Sequence, residues 1–460
     1  MGDIRMGALK KKGLTAAETI TVTSMLFGMF FGAGNLIFPV YMGQQAGNHI
    51  WPAVAGFLMT GVGLPLLAVA ALGISRSDGV SSLGNRVGKK YSVFFTCLLY
   101  LTIGPLFAIP RCASVPFTVA LEPVLQDPDS SKLWLGLFSL VFFLIVLFFS
   151  LKPGGILIWI GKILNPVFLL CLGIFVAAAF LSPMGSAEGI PPEASYESGA
   201  FFNGFIEGYN TMDLLAGLAF GIVVINVIRG LGIEEPGDIA ASTVKAGVFS
   251  CLLMGVIYVF ITVIGVQSRG IMQACSNGGE ALYLIAGHYF GRAGTLILAV
   301  TVSLACLKTA VGLITSCAET FGALFPKGPG YRIWTILFTL TAFLIANLGL
   351  NSIIAYSVPA LMLLYPLGIT LILLALFGRF FGHDRRVYVS VTVFTFAAAI
   401  LDFLHALPEG LQAVLHTDFL MNLAERYLPF FGLGMGWICP TAIGLLIGLA
   451  VRAVGHSKKK

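Results

Sequence analysis

The chain has 460 residues, of which 57% are hydrophobic and only 10% charged, and its mean hydropathy is +0.94. That balance excludes a large soluble enzyme, which would expose much of this apolar excess to water, and places the chain in the membrane class. The net charge of +6 requires no nucleic-acid partner, because basic residues in the joints between apolar runs account for it. The eight cysteines are scattered without a Cys-x-x-Cys pair and read as small core residues, not zinc ligands. A bridge between Cys112 and Cys275, both near the outer face, is the one pairing left open.

Apolar runs long enough to cross a bilayer recur along the chain, so it reads as an all-α polytopic membrane protein. The pattern predicts spans at about 17–42, 50–74, 92–120, 133–151, 158–181 and 203–229, then at about 241–265, 291–322, 332–349, 352–377, 387–405 and 428–452. The first run is too long for a cleavable signal and lacks a small-residue cleavage pattern, so it reads as a working span. Twelve spans put both termini on one side. On that side fall 21 of the 27 Lys and Arg residues, in Arg5, Lys10–Lys12, Arg76–Lys90, Lys152, Lys162, Arg229, Lys245, Lys327, Arg332, Arg379–Arg386, Arg452 and Lys458–Lys460. The bias puts both termini in the cytoplasm. Three outer joints are longer than the rest, at 182–200, 267–290 and 405–426, and the last of these looks amphipathic.

Span 1 carries Gly28, Gly32, Asn35, Gly34 and Pro39 within twelve residues. Glycines permit unwinding and proline removes a donor. In lipid, unpaired backbone groups are tolerated only where they face a solute, an ion or protein. Freed N–H groups at Ala33 and Gly34 suit a carboxylate, and freed carbonyls at Gly28 and Phe31 suit a cation or an ammonium. Close helix packing through small residues is the competing reading. In span 3, Arg111 follows Ile109-Pro110 and is placed to close the outer mouth against Asp213 or Glu207.

Span 6 repeats the theme, with a Gly-bearing break expected around Ala219–Gly221. Matching discontinuous helices in two halves point to a midplane transport site. Asp213 is a carboxylate inside an apolar run, either a proton or cation site or a residue facing the outer vestibule. Span 8 carries Lys308 deep in its run, either facing a cavity as a proton carrier or snorkelling to the cytoplasmic face. His49, His288, His405 and His416 share no metal-ligand spacing and read as surface residues. A phosphate-binding Gly-rich loop is absent, as are the metalloprotease and serine-elbow motifs, so neither ATP-driven transport nor an intramembrane enzyme is indicated.

Several stretches resemble the bacterial branched-chain amino acid carriers, the leucine/isoleucine/valine:cation symporter family of the amino acid–polyamine–organocation superfamily. They are Phe27–Pro39, Thr211-Met212-Asp213, Phe220–Val223, Ala305-Cys306-Leu307 with Thr309–Leu313, Ser316–Glu319 and Asn347–Leu350. The resemblance covers essentially the whole chain. It implies the leucine-transporter fold with a 5+5 inverted repeat, spans 1–5 in residues 1–182 and spans 6–10 in residues 183–378. Spans 11 and 12 and a cytoplasmic tail occupy 379–460. It implies a multi-pass protein of the bacterial inner membrane that imports L-leucine, L-isoleucine and L-valine by sodium symport through alternating access.

The substrate site so implied comprises Ala33, Gly34 and Asn35 of span 1 and Ala219, Phe220 and Gly221 of span 6. The carboxylate would meet the N–H groups of Ala33 and Gly34, and the ammonium would meet carbonyls of span 1 and of Ala219 and Phe220. The implied sodium site takes the carbonyls of Gly28 and Phe31 with Ala305, Lys308 and Thr309 of span 8. Here the chain departs from the sodium pattern, because Lys308 stands where a hydroxyl is expected. Its ammonium can take the place of the ion, leaving proton coupling or none, or turn away and leave sodium to Thr309 and the carbonyls. Membrane lipid is the other expected partner, and the sequence leaves the oligomeric state open.

Overall fold

The computed structural model describes residues 12–75, 77, 79–125, 127–151 and 165–457. The basic residues Arg5, Lys10, Lys11, Arg76, Lys152, Lys162 and Lys458–Lys460, and the start of the fifth predicted span, lie outside these residues. The regular elements among the described residues are all helical, with α1 at Ala16–Phe30, α2 at Gly34–Ala46, α3 at Ile50–Leu58 and α4 at Leu64–Ile74. There follow α5 at Val80–Asn85, α6 at Lys89–Leu101, α7 at Ala108–Ala120, α8 at Pro128–Ser150, α9 at Asn165–Leu181 and α10 at Ala200–Glu207. Then come α11 at Asp213–Gly230, α12 at Pro236–Ser268, α13 at Gly278–Leu324, α14 at Tyr331–Ala346 and α15 at Leu350–Phe377. The chain closes with α16 at Arg385–His405, α17 at Glu409–Leu415, α18 at Asp418–Tyr427 and α19 at Ile438–Ser457.

Seven helical stretches among the described residues are long and apolar enough to cross a membrane, and eight if the bent pair within α11 is one span. Four shorter apolar helices accompany them: Ala16–Phe30, Asn165–Leu181, Tyr331–Ala346 and Ile438–Val454. Leu133, Leu137, Leu144 and Phe148 of α8 are exposed, as are Leu170 and Ile174 of α9 and Leu340 and Leu344 of α14, a surface that hydrocarbon covers at no cost.

The starts of the helices follow local chemistry. Thr15 and Glu18 form a capping box at α1, and Asp127 accepts the Ser130 N–H at α8. Asn277 caps α13 by accepting from Gly279 and Glu280 at 2.9 and 3.0 Å. Two spans carry a π-helical turn, at Met59–Gly63 and at Thr102–Leu106, where Gly104 and Pro105 interrupt the ladder. The predicted span at 92–120 is therefore two helices, α6 and α7, and its kink turns Ile103 and Arg111 toward the centre.

Small residues set the closest contacts. A Cβ at Gly43 of α2 would collide with the Thr262 carbonyl of α12, and one at Gly265 of α12 with the Val40 carbonyl of α2. Gly56 of α3 and Gly204 of α10 meet the backbone of the opposite helix in the same way. Backbones pressed together through glycine are how helices associate where water supplies no driving force. The first joint clamps α2 of the first interrupted span to α12, and the second clamps α3 to α10.

All eight cysteines are free thiols, and the pairing left open between Cys112 and Cys275 is not made. Cys112 faces the central cavity, whereas the Cys275 backbone N–H donates to Gln44 Oε1 at 3.1 Å. The amphipathic joint predicted at 405–426 forms α17 and α18, which leave Val414, Phe419 and Tyr427 exposed, a surface suited to the membrane–water boundary.

Candidate functional site

Two interrupted helices meet at the centre of the molecule. Between α1 and α2 the helix is interrupted at residues 31–33: Phe31 N–H still bonds the Phe27 carbonyl at 2.7 Å, and the ladder fails at the next residue. Asn35 holds this gap open, because its Oδ1 accepts the Gly32 N–H at 2.7 Å. In a continuous helix that N–H would bond the Gly28 carbonyl. Among the described residues no donor reaches the carbonyls of Gly28 and Phe31, and the N–H groups of Ala33 and Gly34 reach no acceptor. The second pair sits at the positive end of α2, where an anion is favoured.

The second interruption lies opposite. Gly208–Thr211 forms a 3₁₀ turn, Met212 takes a left-handed conformation with φ 61°, and α11 begins at Asp213. The expected break around Ala219–Gly221 is present as a 40° bend between Gly221 and Val223 within α11, and the fuller loss of helical bonding falls earlier, at residues 208–212. The glycines of α11 serve close packing instead: Gly217 fits against Pro65 and Ala68, and Gly221 against Leu72. Of the expected trio only Phe220 lines the central cavity, and the Ala219 carbonyl accepts the Tyr100 hydroxyl at 3.1 Å.

Asp213 is 1% exposed and faces the first interruption. Both of its oxygens accept from Asn35 Nδ2 at 2.9 Å, and Oδ2 also accepts the Tyr258 hydroxyl at 2.6 Å. Asn35 Nδ2 also contacts the Tyr258 hydroxyl oxygen. One asparagine thus ties the two helix breaks together, and the outer-vestibule reading of Asp213 gives way to a buried one.

Arg111 is 3% exposed and pairs with neither expected carboxylate. Nη1 donates to the Asn210 carbonyl at 2.8 Å, Nη2 donates to Ser357 Oγ, and the guanidinium lies over the Phe38 ring at 5.1 Å. Its Nε has no partner among the described residues. Glu207 accepts instead from Asn210 Nδ2 at 3.3 Å. Next to Arg111, Tyr209 and Tyr365 stack at 3.9 Å between ring centres and fill the space between the 3₁₀ turn and α15.

Gly32, Ala33, Gly34, Arg111, Asn210, Asp213, Phe220 and Thr309 line a central cavity of about 50 Å³, space for no more than a few waters. Met29, Phe220 and Thr309 also line a larger cavity of about 380 Å³. That second space runs past Gly28, Asn165, Asn226 and Lys308 to Glu319, toward the ends of α11 and α13 that share a side with the start of α1.

Lys308 is 4% exposed and does not reach for the membrane face. Its Nζ donates to Asn165 Oδ1, and Asn165 Nδ2 donates to the Ser24 carbonyl at 2.8 Å. The Asn165 amide lies directly against Gly28, in the space a side chain there would take. Thr309 donates to the Ala305 carbonyl at 3.1 Å and packs against Gly32. Gly28, Lys308 and Thr309 are therefore brought to one region, and Asn165 joins them.

Sequence reading missed Asn165, Tyr258, Asn210 and Tyr100. Asn165, before Pro166, falls inside the predicted span 158–181 among apolar residues and carries no charge to mark it. Tyr258 and Tyr100 sit within apolar runs and read as core aromatics.

The chain matches a family model described as branched-chain amino acid transport protein over residues 15–454. It is 50% identical over 449 residues to the branched-chain amino acid permease BrnQ of Lactobacillus delbrueckii subsp. lactis, covering 98% of this chain and 100% of that one. It is 38% identical over 450 residues to the permease BraB of Bacillus subtilis, covering 98% and 99%. It is 37% identical over 438 residues to the permease BrnQ of Escherichia coli, covering 95% and 96%. Among solved structures, the nucleobase-cation-symport-1 family transporter Mhp1 aligns with a TM-score of 0.59 at 14% identity, covering 95% of this chain and 93% of that one. MhsT in complex with L-phenylalanine aligns with a TM-score of 0.53 at 15% identity, covering 96% and 99%. The chain shares the fold of these transporters.

Proposed function

We propose that this chain, which belongs to the branched-chain amino acid transport protein family, carries leucine, isoleucine and valine across the bacterial cytoplasmic membrane by cation symport and alternating access. It is a transporter and not an enzyme. The observation that carries the reading is the central cavity between two helix breaks, with unpaired N–H groups at Ala33 and Gly34 and a carboxylate at Asp213. An amphoteric solute suits such a site.

In this reading the chain has twelve spans in a 5+5 inverted repeat, residues 1–182 and 183–378, followed by two further spans. Both termini are cytoplasmic, so the larger cavity opens inward and the layer of Met29, Phe220 and Thr309 parts the substrate site from it. Substrate enters when the central cavity expands, since about 50 Å³ admits no leucine. The apolar side chain rests against residues such as Ile103, Phe220 and Leu313. A hydrophobic pocket separates substrates differing by one methylene by only ~1–3 kcal/mol, so all three branched substrates are carried.

Coupling has two readings. In the first, sodium binds the open carbonyls of Gly28 and Phe31 with Thr309 and Ala305. In the second, the Lys308 ammonium replaces it. The bond from Lys308 to Asn165, whose amide lies against Gly28, supports the second, because it keeps the ammonium in the cavity that Gly28 and Thr309 line. Reconstituted protein would be tested for labelled leucine uptake under an inward sodium gradient and under an inward proton gradient, each repeated with Lys308→Thr. Sodium-independent uptake in the parent that turns sodium-dependent in the variant supports replacement. Sodium-dependent uptake in the parent overturns it and leaves sodium with Thr309. Failure of leucine uptake under both gradients overturns the substrate assignment.

A further inference from the structure

Asp213 and Arg111 line one cavity and are not bonded to each other. Among the described residues the side-chain donors to Asp213 are neutral: Asn35 Nδ2, the Tyr258 hydroxyl and the Thr211 hydroxyl. The orientation of Asn35 is fixed, because its Oδ1 is already committed to the Gly32 N–H. Its NH₂ must therefore point at Asp213, and both carboxyl oxygens accept from it. Among the described residues no cation bonds this carboxyl group, and an intramembrane carboxyl group of that kind belongs to a solute or ion pathway.

The opposite wall carries the reverse sign. The Asn210 carbonyl that receives Arg111 Nη1 lies 3.6 Å from where a Cβ of Gly34 would sit. Arg111 is thus next to the unpaired N–H groups of Ala33 and Gly34, and its own Nε is buried without a partner. The cavity offers one negative wall and one positive wall a short distance apart. That is the complement of an α-amino acid, whose two charges are fixed at adjacent positions.

Three carbonyls of the second broken span already accept a side-chain donor. Ala219 accepts Tyr100, Asn210 accepts Arg111, and Gly208 accepts the Thr211 hydroxyl at 2.9 Å. We infer that Asp213 is the residue that binds the substrate ammonium, with Arg111 and the N–H groups of Ala33 and Gly34 binding its carboxylate. Asn35 and Tyr258 are positioning residues that orient Asp213. The inference rests on the amino acid transport reading above and names the groups that carry out its recognition.

The test uses full-length protein in liposomes and competition against labelled leucine by leucine, 4-methylpentanoate, which lacks the ammonium, and 3-methylbutylamine, which lacks the carboxylate. In Asp213→Asn the apparent leucine affinity falls by roughly ten-fold or more, the effect of losing a charged hydrogen bond. The preference for leucine over 4-methylpentanoate shrinks with it. In Arg111→Gln the preference for leucine over 3-methylbutylamine shrinks instead. Leucine affinity retained within about two-fold in Asp213→Asn, with loss only of ion-driven accumulation, would overturn the assignment and make Asp213 a coupling site. If Asp213→Asn does not fold, Asp213→Glu decides. It keeps the discrimination against 4-methylpentanoate if a carboxylate reads the ammonium, and loss of that discrimination in a folded glutamate variant overturns the inference. Parent protein that transports no leucine at all removes the underlying reading, a result distinct from either.

Discussion

Adding one methyl group at Gly28 tests how the first interrupted span is held. A Cβ there would overlap the Asn165 amide, with Oδ1 and Cγ within 2.8 and 2.9 Å. The amide cannot yield without loss, because it donates to Ser24 at 2.8 Å and receives Lys308. Moving it breaks a neutral bond of about 1 kcal/mol and a charged one of about 1.5–3 kcal/mol, so Gly28→Ala should cost about 2.5–4 kcal/mol. Gly312→Ala is the control, since it lines the same larger cavity and a Cβ there meets nothing within 4 Å. Thermal melting in detergent and leucine uptake in liposomes would be measured for both variants, for Asn165→Ala and for Gly28→Ala with Asn165→Ala. Gly28→Ala should melt lower than the control and transport poorly. The double variant should cost less than the two singles together, because the shortened side chain makes room for the methyl group. Full additivity, or melting of Gly28→Ala equal to that of Gly312→Ala, would refute the contact and its role.

Three further outcomes follow from the same geometry. Tyr258→Phe removes the hydroxyl that donates to Asp213 at 2.6 Å, and should weaken leucine affinity by about ten-fold at unchanged folded yield, read by competition uptake. Tyr100→Phe frees the Ala219 carbonyl and costs about 1 kcal/mol in melting, while leucine affinity stays near the parent value, because that carbonyl does not meet the substrate. Gly265→Ala sets a methyl group against the Val40 carbonyl and should lower the folded yield by the overpacking cost of about 1–3 kcal/mol or more. Gly255→Ala on the same helix, where the nearest atom is 3.6 Å away, should behave as the parent in size-exclusion profiles.

The helical class and the first broken span were legible because hydropathy and clustered Gly and Pro report directly on backbone behaviour. The break between Phe30 and Gly34 falls where Gly32 and Asn35 mark it. The second interruption was legible only in part, as the bend after Gly221, because a glycine signals two things, unwinding and close approach, and the sequence does not say which. Gly217 and Gly221 serve approach to Pro65 and Leu72, while the actual break uses Met212 in a left-handed conformation that no local pattern announces. Arg111 and Asp213 stood out as charges in apolar runs, yet their partners did not. Asn210, Tyr258 and Ser357 lie far along the chain from them or read as ordinary core residues. Lys308 was visible for the same reason, but its bond to Asn165 spans 143 positions and depends on how two helices pack.

The central claim is that an amino acid is held between the two helix breaks. A cryo-electron-microscopy structure of the protein with bound L-leucine tests it most directly. The account predicts ligand density in the central cavity, with the carboxylate against the N–H groups of Ala33 and Gly34 and the ammonium against Asp213. Leucine seated elsewhere, for instance in the apolar crevice between Phe168 and Leu296, with the central cavity still closed, would contradict it.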